Sequence, residues 1–292
     1  MISYGRIEAI FHPLYLIKNF LAFLLGVVIL FVSTGKIGSI PLFAPVGFVF
    51  AYNSVYFIND LKDFEEDKLD VHKFKTKPLL NGHLNKNEAK ALCLFYLITG
   101  LMLSFYSGIL FGFSVLILLI LNMIHTFFLK SLCFPLILNI AIMQILKISL
   151  GWLSISNSFK NFPFYFMIFL GLLYSTSYLF YKRERGIVDI KPNKKILMTM
   201  FKKPINSFFS VATILSFVTS FLLYTFRLHI IVMFLIIIAF VFSVKFTNVK
   251  RISLYRTYQI LIINVYASVI VSFFLMSYIP ELIALNKLLL LI

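Results

Sequence analysis

Apolar residues run along this chain in blocks of about 20, the length a helix needs to cross a hydrocarbon core of roughly 30 Å. The blocks fall at 14–33, 40–58, 89–106, 109–128, 131–151, 162–181, 205–225, 229–246 and 258–278. This pattern predicts an all-α integral membrane protein of about nine transmembrane helices, with residues 1–292 forming a single polytopic membrane domain. The third and fourth blocks are divided mainly by Ser107-Gly108. Two longer polar stretches interrupt the series, at 59–88 and 182–204. Beyond them no linker, repeat or low-complexity segment marks a second domain.

Composition agrees with the blocks. Of 292 residues, 61% are hydrophobic and only 13% charged, whereas a soluble domain carries about a quarter charged residues. A large soluble helical bundle is excluded on this ground. The net charge of +16 does not point to nucleic acid, because the basic residues sit between apolar blocks and not on a polar domain or tail. With nine spans and the N-terminus inside, the other side carries only Lys36, Lys160, Arg227 and Lys287. That asymmetry predicts an inner or plasma membrane protein whose N-terminus and two long polar loops are cytoplasmic. Cys93 and Cys133 lie within apolar segments and have no metal-like spacing, which suits buried free thiols. The first block is long enough to span and lacks a small-residue cleavage site, so no removable signal peptide is expected.

The acidic residues are distributed far less evenly. The chain has 11, and six fall between positions 60 and 70: Asp60, Asp63, Glu65, Glu66, Asp67 and Asp70. They stand in YFINDLKDFEEDKLD, directly after the second apolar block. On a helix, Asn59, Asp63 and Asp67 share one face, with Asp60 beside it and Asp70 a turn further on. Like charges placed in this way repel each other. A divalent cation relieves that repulsion, and Mg²⁺ in particular takes carboxylate oxygens while sharing its coordination with substrate phosphates. The alternative is an ordinary solvated charged loop. Carboxylates at the edge of a membrane span are functional candidates by default.

The segment that follows, KFKTKPLLNGHL, sets Lys73, Lys75 and Lys77 before Pro78. Pro78 ends any helix and Gly82 permits a turn. Lysines beside a metal-binding carboxylate cluster suit an anionic leaving group whose charge grows as an ester bond breaks.

NDLKDFEED followed by KPLLNG resembles the first signature of the UbiA superfamily, Asn-Asp-x-x-Asp-x-x-x-Asp followed by Arg-Pro-Leu-x-x-Gly. Nine helices with polar loops after the second and sixth also match that architecture. The resemblance implies a helical bundle with a central cavity, embedded in the bilayer. It further implies that Asn59, Asp60, Asp63 and Asp67 hold Mg²⁺ and diphosphate, and that Asp60, Asp63, Asp67 and Lys77 carry the chemistry. Lys77 stands where the family usually has arginine, which keeps the charge and loses the bidentate fork.

The usual second aspartate-rich motif is degraded here. Its place reads SYLFYKRERGIVDIKPNKK, with only Glu184 and Asp189 as acids and eight basic residues between 182 and 203. Lys182 and Arg183, with Glu184 beside them, are similar instead to a Lys-Arg-x-x-Glu stretch of the decaprenyl-phosphate phosphoribosyltransferase branch. HPLYLIKN at 12–19 resembles that branch's Arg-Pro-x-x-Trp-x-Lys-Asn: Pro13, Lys18 and Asn19 match, while His12 and Leu16 depart. Lys147, deep in the fifth apolar block, has a similar context in the branch, although Leu136 replaces an aspartate usual there. Lys18 is otherwise explained by snorkelling.

These cations lead to the expectation of phosphoribosyl transfer from its diphosphate onto a polyprenyl phosphate. Asn59, Lys18, Asn19, Lys75, Lys147, Lys182 and Arg183 would then bind substrate. Transfer of a polyprenyl group to an aromatic or other small acceptor, as in quinone synthesis, is the alternative. A non-enzymatic transporter is a further one, although matching halves with broken helices are not apparent. The implied partners are a diphosphate donor, a lipid substrate and the bilayer, with Mg²⁺ as cofactor.

Overall fold

The computed structural model of the chain describes residues 4–34, 38–68, 77–129 and 132–188, and every regular element among them is helical. In order these are α1 (Tyr4–Phe11), α2 (Pro13–Thr34), α3 (Phe43–Lys62), α4 (Phe64–Asp67), α5 (Lys86–Ser107), α6 (Ile109–Phe127), α7 (Cys133–Ser156) and α8 (Phe164–Val188). The six blocks predicted before residue 182 each coincide with one of α2, α3, α5, α6, α7 and α8. The three from 205 onward lie outside the described residues.

Among the described residues, four stretches are long and apolar enough to cross a membrane: Ala9–Phe31, Lys86–Ser107, Ile109–Phe127 and Phe134–Ser156. The side chains are distributed as a lipid solvent demands. On α6 the exposed stripe is Phe113, Ile117, Ile120 and Ile124, while Ser114, Asn122 and Thr126 are buried. A soluble helix shows the reverse order.

Local chemistry explains the helix ends. His12 takes a positive φ of 46° between α1 and α2, and Pro13 opens α2 at the position where its missing N–H costs nothing. Asn85 caps α5 through a reciprocal capping box: its side chain accepts from the Glu88 N–H at 2.8 Å, and Glu88 accepts from the Asn85 N–H at 3.0 Å. α5 and α6 are joined at Gly108, whose φ of 157° is open to glycine and poor for other residues. The division at Ser107-Gly108 is therefore a tight helical hairpin.

The described residues fall into two compact units. The first holds residues 4–24, 38–68, 77–127 and 149–158. Within it α3 lies antiparallel to α5 and parallel to α6. Glycines let α3 and α5 approach to backbone contact: a Cβ on Gly100 would stand 2.1 Å from the Ala51 nitrogen, and one on Gly47 2.7 Å from the Ser104 nitrogen. The described part of the second unit is residues 25–34, 128–129, 132–148 and 159–188. There α8 meets α7 closely at Gly171, where an added Cβ would lie 2.8 Å from the Ala141 carbonyl oxygen.

Candidate active site

The polar end of the first unit is built where α3 runs out of apolar residues. α3 stops at Lys62, and Asp63 adopts φ −89° and ψ 3° before the short α4, in the sparsely populated bridge region. The helical hydrogen bonds survive this break: the Asp63 N–H reaches the Asn59 carbonyl at 2.9 Å, and the Asp67 N–H reaches the Asp63 carbonyl at 2.8 Å. Asp60 and Asp67, two turns apart, therefore remain on one side.

The loop after the acidic segment returns to them. Leu80 and Asn81 donate their N–H groups to the Lys77 carbonyl at 3.0 and 3.1 Å, and Leu84 donates to the Pro78 carbonyl at 3.2 Å. Gly82 takes φ 80°, a turn position that glycine fills without strain. Leu79 and Leu84 are buried with Ala9, Phe57, Ala89 and Tyr96, so α1, α3, α5 and the loop share one small core. Arg6 pairs with Glu88 at 2.5 Å, and the Tyr96 hydroxyl donates to the Ile10 carbonyl at 3.1 Å.

This scaffold delivers Lys77 between two carboxylates. Its ammonium lies 2.7 Å from Asp60 Oδ1 and 2.6 Å from Asp67 Oδ2. The Asp67 side chain is 3% exposed, that of Asp60 16% and that of Lys77 24%. Desolvation pulls the Lys77 pKa down, but the charges and hydrogen bonds of Asp60 and Asp67 outweigh it, and the net shift is upward. The ammonium form is thus held firmly.

The acidic cluster consequently splits in two. Asp60 and Asp67 form an inner pair around a cation. Glu65 and Glu66 are exposed, and Glu65 is engaged by Lys68 at 2.9 Å and Lys86 at 3.4 Å, both of which also cover the Phe64 ring. The hydrogen bond from Lys68 leads the effects that hold Glu65 below its ordinary pKa.

The other predicted residues are placed as follows. Asn59 Oδ1 accepts the hydroxyl hydrogen bond of Thr126 on α6. Asp63 is half-buried at the break between α3 and α4. Asn19 is buried on α2 and donates to the Tyr56 hydroxyl at 3.1 Å, while Lys18 beside it is exposed. Lys147 is buried on α7, within the second unit. Lys75 and Asp70, and the side chains of Lys182 and Arg183 on the last turns of α8, lie outside the described residues.

Among the described residues, no three histidine, cysteine or acidic side chains converge as a closed metal cage. The donor set still fits Mg²⁺, which keeps several waters and takes one or two carboxylates together with phosphate oxygens. Asp60 and Asp67 already hold a cation between them.

Sequence reasoning missed the polar seam beside this pair. The Tyr52 hydroxyl donates to Asn122 Oδ1 at 3.1 Å, one α3–α6 rung below the Thr126–Asn59 bond. Its signal was present as two periodic polar sets inside apolar blocks, Tyr52 and Asn59 on α3 and Asn122 and Thr126 on α6.

No curated protein matches the sequence. Among solved structures, a UbiA homologue from Aeropyrum pernix K1 superimposes with a TM-score of 0.61 at 14% identity, over 87% of this chain and 97% of its own. A UbiA homologue from Archaeoglobus fulgidus bound to DMAPP and Mg²⁺ gives 0.59 at 18% identity, over 89% of this chain and 97% of its own. The same homologue bound to Cd²⁺ gives 0.59 at 19% identity, over 92% and 99%. These likenesses show the fold. The family model of the UbiA prenyltransferase family matches residues 19–264, and the chain, a membrane-integral protein, belongs to that family.

Proposed function

We propose that the chain is a Mg²⁺-dependent transferase that cleaves a diphosphate donor at Asp60, Asp67 and Lys77. The activated group passes to an acceptor in the lipid phase. The observation that carries this reading is the Lys77 ammonium held at 2.7 and 2.6 Å between two carboxylates, at the polar end of an otherwise apolar helix. Asp60 and Asp67 would hold the metal, with Asn59 and Asp63 beside them. When bound, Mg²⁺ supplies positive charge to the diphosphate oxygens that depart. Lys77 sits on a loop anchored by buried Leu79 and Leu84, so its ammonium is positioned to take up charge on the leaving diphosphate. Such a contact strengthens as the ester bond breaks and so acts on the transition state.

The donor we favour is a prenyl diphosphate. The Archaeoglobus homologue was solved with DMAPP and with GPP, each together with Mg²⁺. Lys18, one of the extra cations that a phosphoribosyl donor calls for, is exposed. Phosphoribosyl transfer onto a polyprenyl phosphate is the second reading, and Lys147 favours it as a cation buried on an apolar helix, where functional partners are the rule.

The deciding experiment measures diphosphate release by the purified protein with Mg²⁺ from prenyl and from phosphoribosyl diphosphates. Release from prenyl donors only is expected, with kinetics unchanged in Lys147→Met. Release from the phosphoribosyl donor only, weakened at least about tenfold by Lys147→Met, would reverse the choice. Release from neither would remove the transferase reading. We place the acidic end in the cytoplasm on the charge asymmetry of the loops. Cysteines introduced at 83 and 157, exposed positions, should then label only from inside and only from outside respectively, and labelling of 83 from outside would invert the protein.

A further inference from the structure

Lys77 does more in this geometry than await a leaving group. Its ammonium stands between Asp60 Oδ1 and Asp67 Oδ2 at hydrogen-bond distance from both, on the two carboxylates that would hold a divalent ion. A divalent ion on these carboxylates competes with the ammonium, because mutual repulsion adds to the loss of both ion-pair contacts. The backbone of Lys77 is fixed by the turn bonds from Leu80 and Asn81 and by Pro78 after it. What can move is the four-carbon stem, which an ammonium has and a rigid guanidinium fork uses less freely.

We infer that Lys77 is the resident counter-ion of the Asp60–Asp67 pair, and that a divalent metal displaces it only when a diphosphate arrives to receive the released ammonium. Metal alone then gains two carboxylates but leaves an ammonium without its anionic partners, in a site where all three groups are partly desolvated. Metal with diphosphate satisfies every charge: the carboxylates take the metal, and the ammonium moves to the phosphate oxygens. Binding is therefore strongly cooperative. The metal enters with its donor, and the carboxylate pair never stands as two uncompensated charges between turnovers. The inference rests on Asp60 and Asp67 being the metal–diphosphate site.

The test follows Mn²⁺ binding by electron paramagnetic resonance, with purified protein in detergent, with and without inorganic diphosphate. In Lys77→Met, which keeps the apolar stem, Mn²⁺ alone should bind at least about tenfold tighter than in the unsubstituted protein, since no ammonium competes. Mn²⁺ with diphosphate should bind at least about tenfold more weakly, since the receiving cation is gone. Lys77→Arg keeps the charge and should leave Mn²⁺ alone weakly bound, and a cooperative melting transition of Lys77→Met shows that this variant is folded. If Lys77→Met binds Mn²⁺ alone no better than the unsubstituted protein, the counter-ion role is overturned while the metal site stands. If no form binds Mn²⁺ even with diphosphate, the metal reading falls and takes the inference with it.

Discussion

The two faces of α3 are packed by opposite means. Toward α5 the contact is made by absence: Gly47 and Ala51 on one helix meet Gly100 and Ser104 on the other, close enough that a Cβ on Gly100 would lie 2.5 Å from the Ala51 Cα. The hydroxyls there turn back on their own helices, Ser104 to the Gly100 carbonyl at 2.7 Å and Ser54 to the Ala51 carbonyl at 2.6 Å. Toward α6 the contact is made by polar rungs, Tyr52 to Asn122 and Thr126 to Asn59. In a bilayer, where hydrophobicity does not drive helices together, small-residue packing and interhelical hydrogen bonds are the two means available. Here small-residue packing dominates one side of α3, with Cys93 Sγ donating to the Ser54 carbonyl at 3.6 Å beside it, and side-chain rungs dominate the other, next to its polar end.

The first way to break this comparison is Gly100→Ala. The added methyl meets backbone atoms of α3, which cannot rotate away, so overpacking should cost about 3 kcal/mol or more. Thermal unfolding in detergent reads the loss, and an unchanged melting temperature would mean the helices approach less closely than described. Next comes Asp67→Asn. This buried residue would lose its charge and half of the cradle for Lys77, and donor turnover should fall by about 100-fold or more, as when charge-stabilising groups are removed elsewhere. Its melting temperature should drop less than that of Gly100→Ala, because Asp60 still holds the ammonium. Turnover within a few-fold of normal would return the acidic segment to the status of surface charge.

Much of this was legible in the sequence, and the part that was not has a physical reason. The apolar blocks predicted the helices because length and hydrophobicity alone decide what can span. Pro78 and Gly82 predicted the turn that they form. What spacing fixes, however, is which residues share a face, not which side chain arrives from another helix. Asn59 was expected beside a metal, and its hydrogen bond from Thr126, 67 residues away, is a contact that spacing does not reveal. Lys77 was expected near the acids, but its bridging of Asp60 and Asp67 depends on closure of the loop against α1 and α5, through a core that includes Ala9 and Tyr96. The break at Asp63 carries no breaker residue at all, since neither glycine nor proline stands between 59 and 67.

The subtlest way to sharpen the comparison is Thr126→Val. Valine has nearly the shape of threonine, so the packing of α6 is kept and only the hydroxyl is lost. Asn59 Oδ1 then lacks its donor from α6, and the seam nearest the carboxylates is open on one rung while Tyr52–Asn122 remains. A single neutral hydrogen bond contributes about 1 kcal/mol, so the melting temperature should fall by a fraction of what Gly100→Ala produces. Asn59 directly precedes Asp60, and freeing its side chain loosens the turn that sets the first carboxylate. Mn²⁺ affinity in the presence of diphosphate should therefore weaken by a few-fold, in line with that energy. Thr126→Ser, which restores the hydroxyl, should restore most of both effects. If valine leaves stability and metal affinity untouched, the polar face of α3 is no more than incidental packing. If it lowers stability alone, the seam joins two helices without orienting the site.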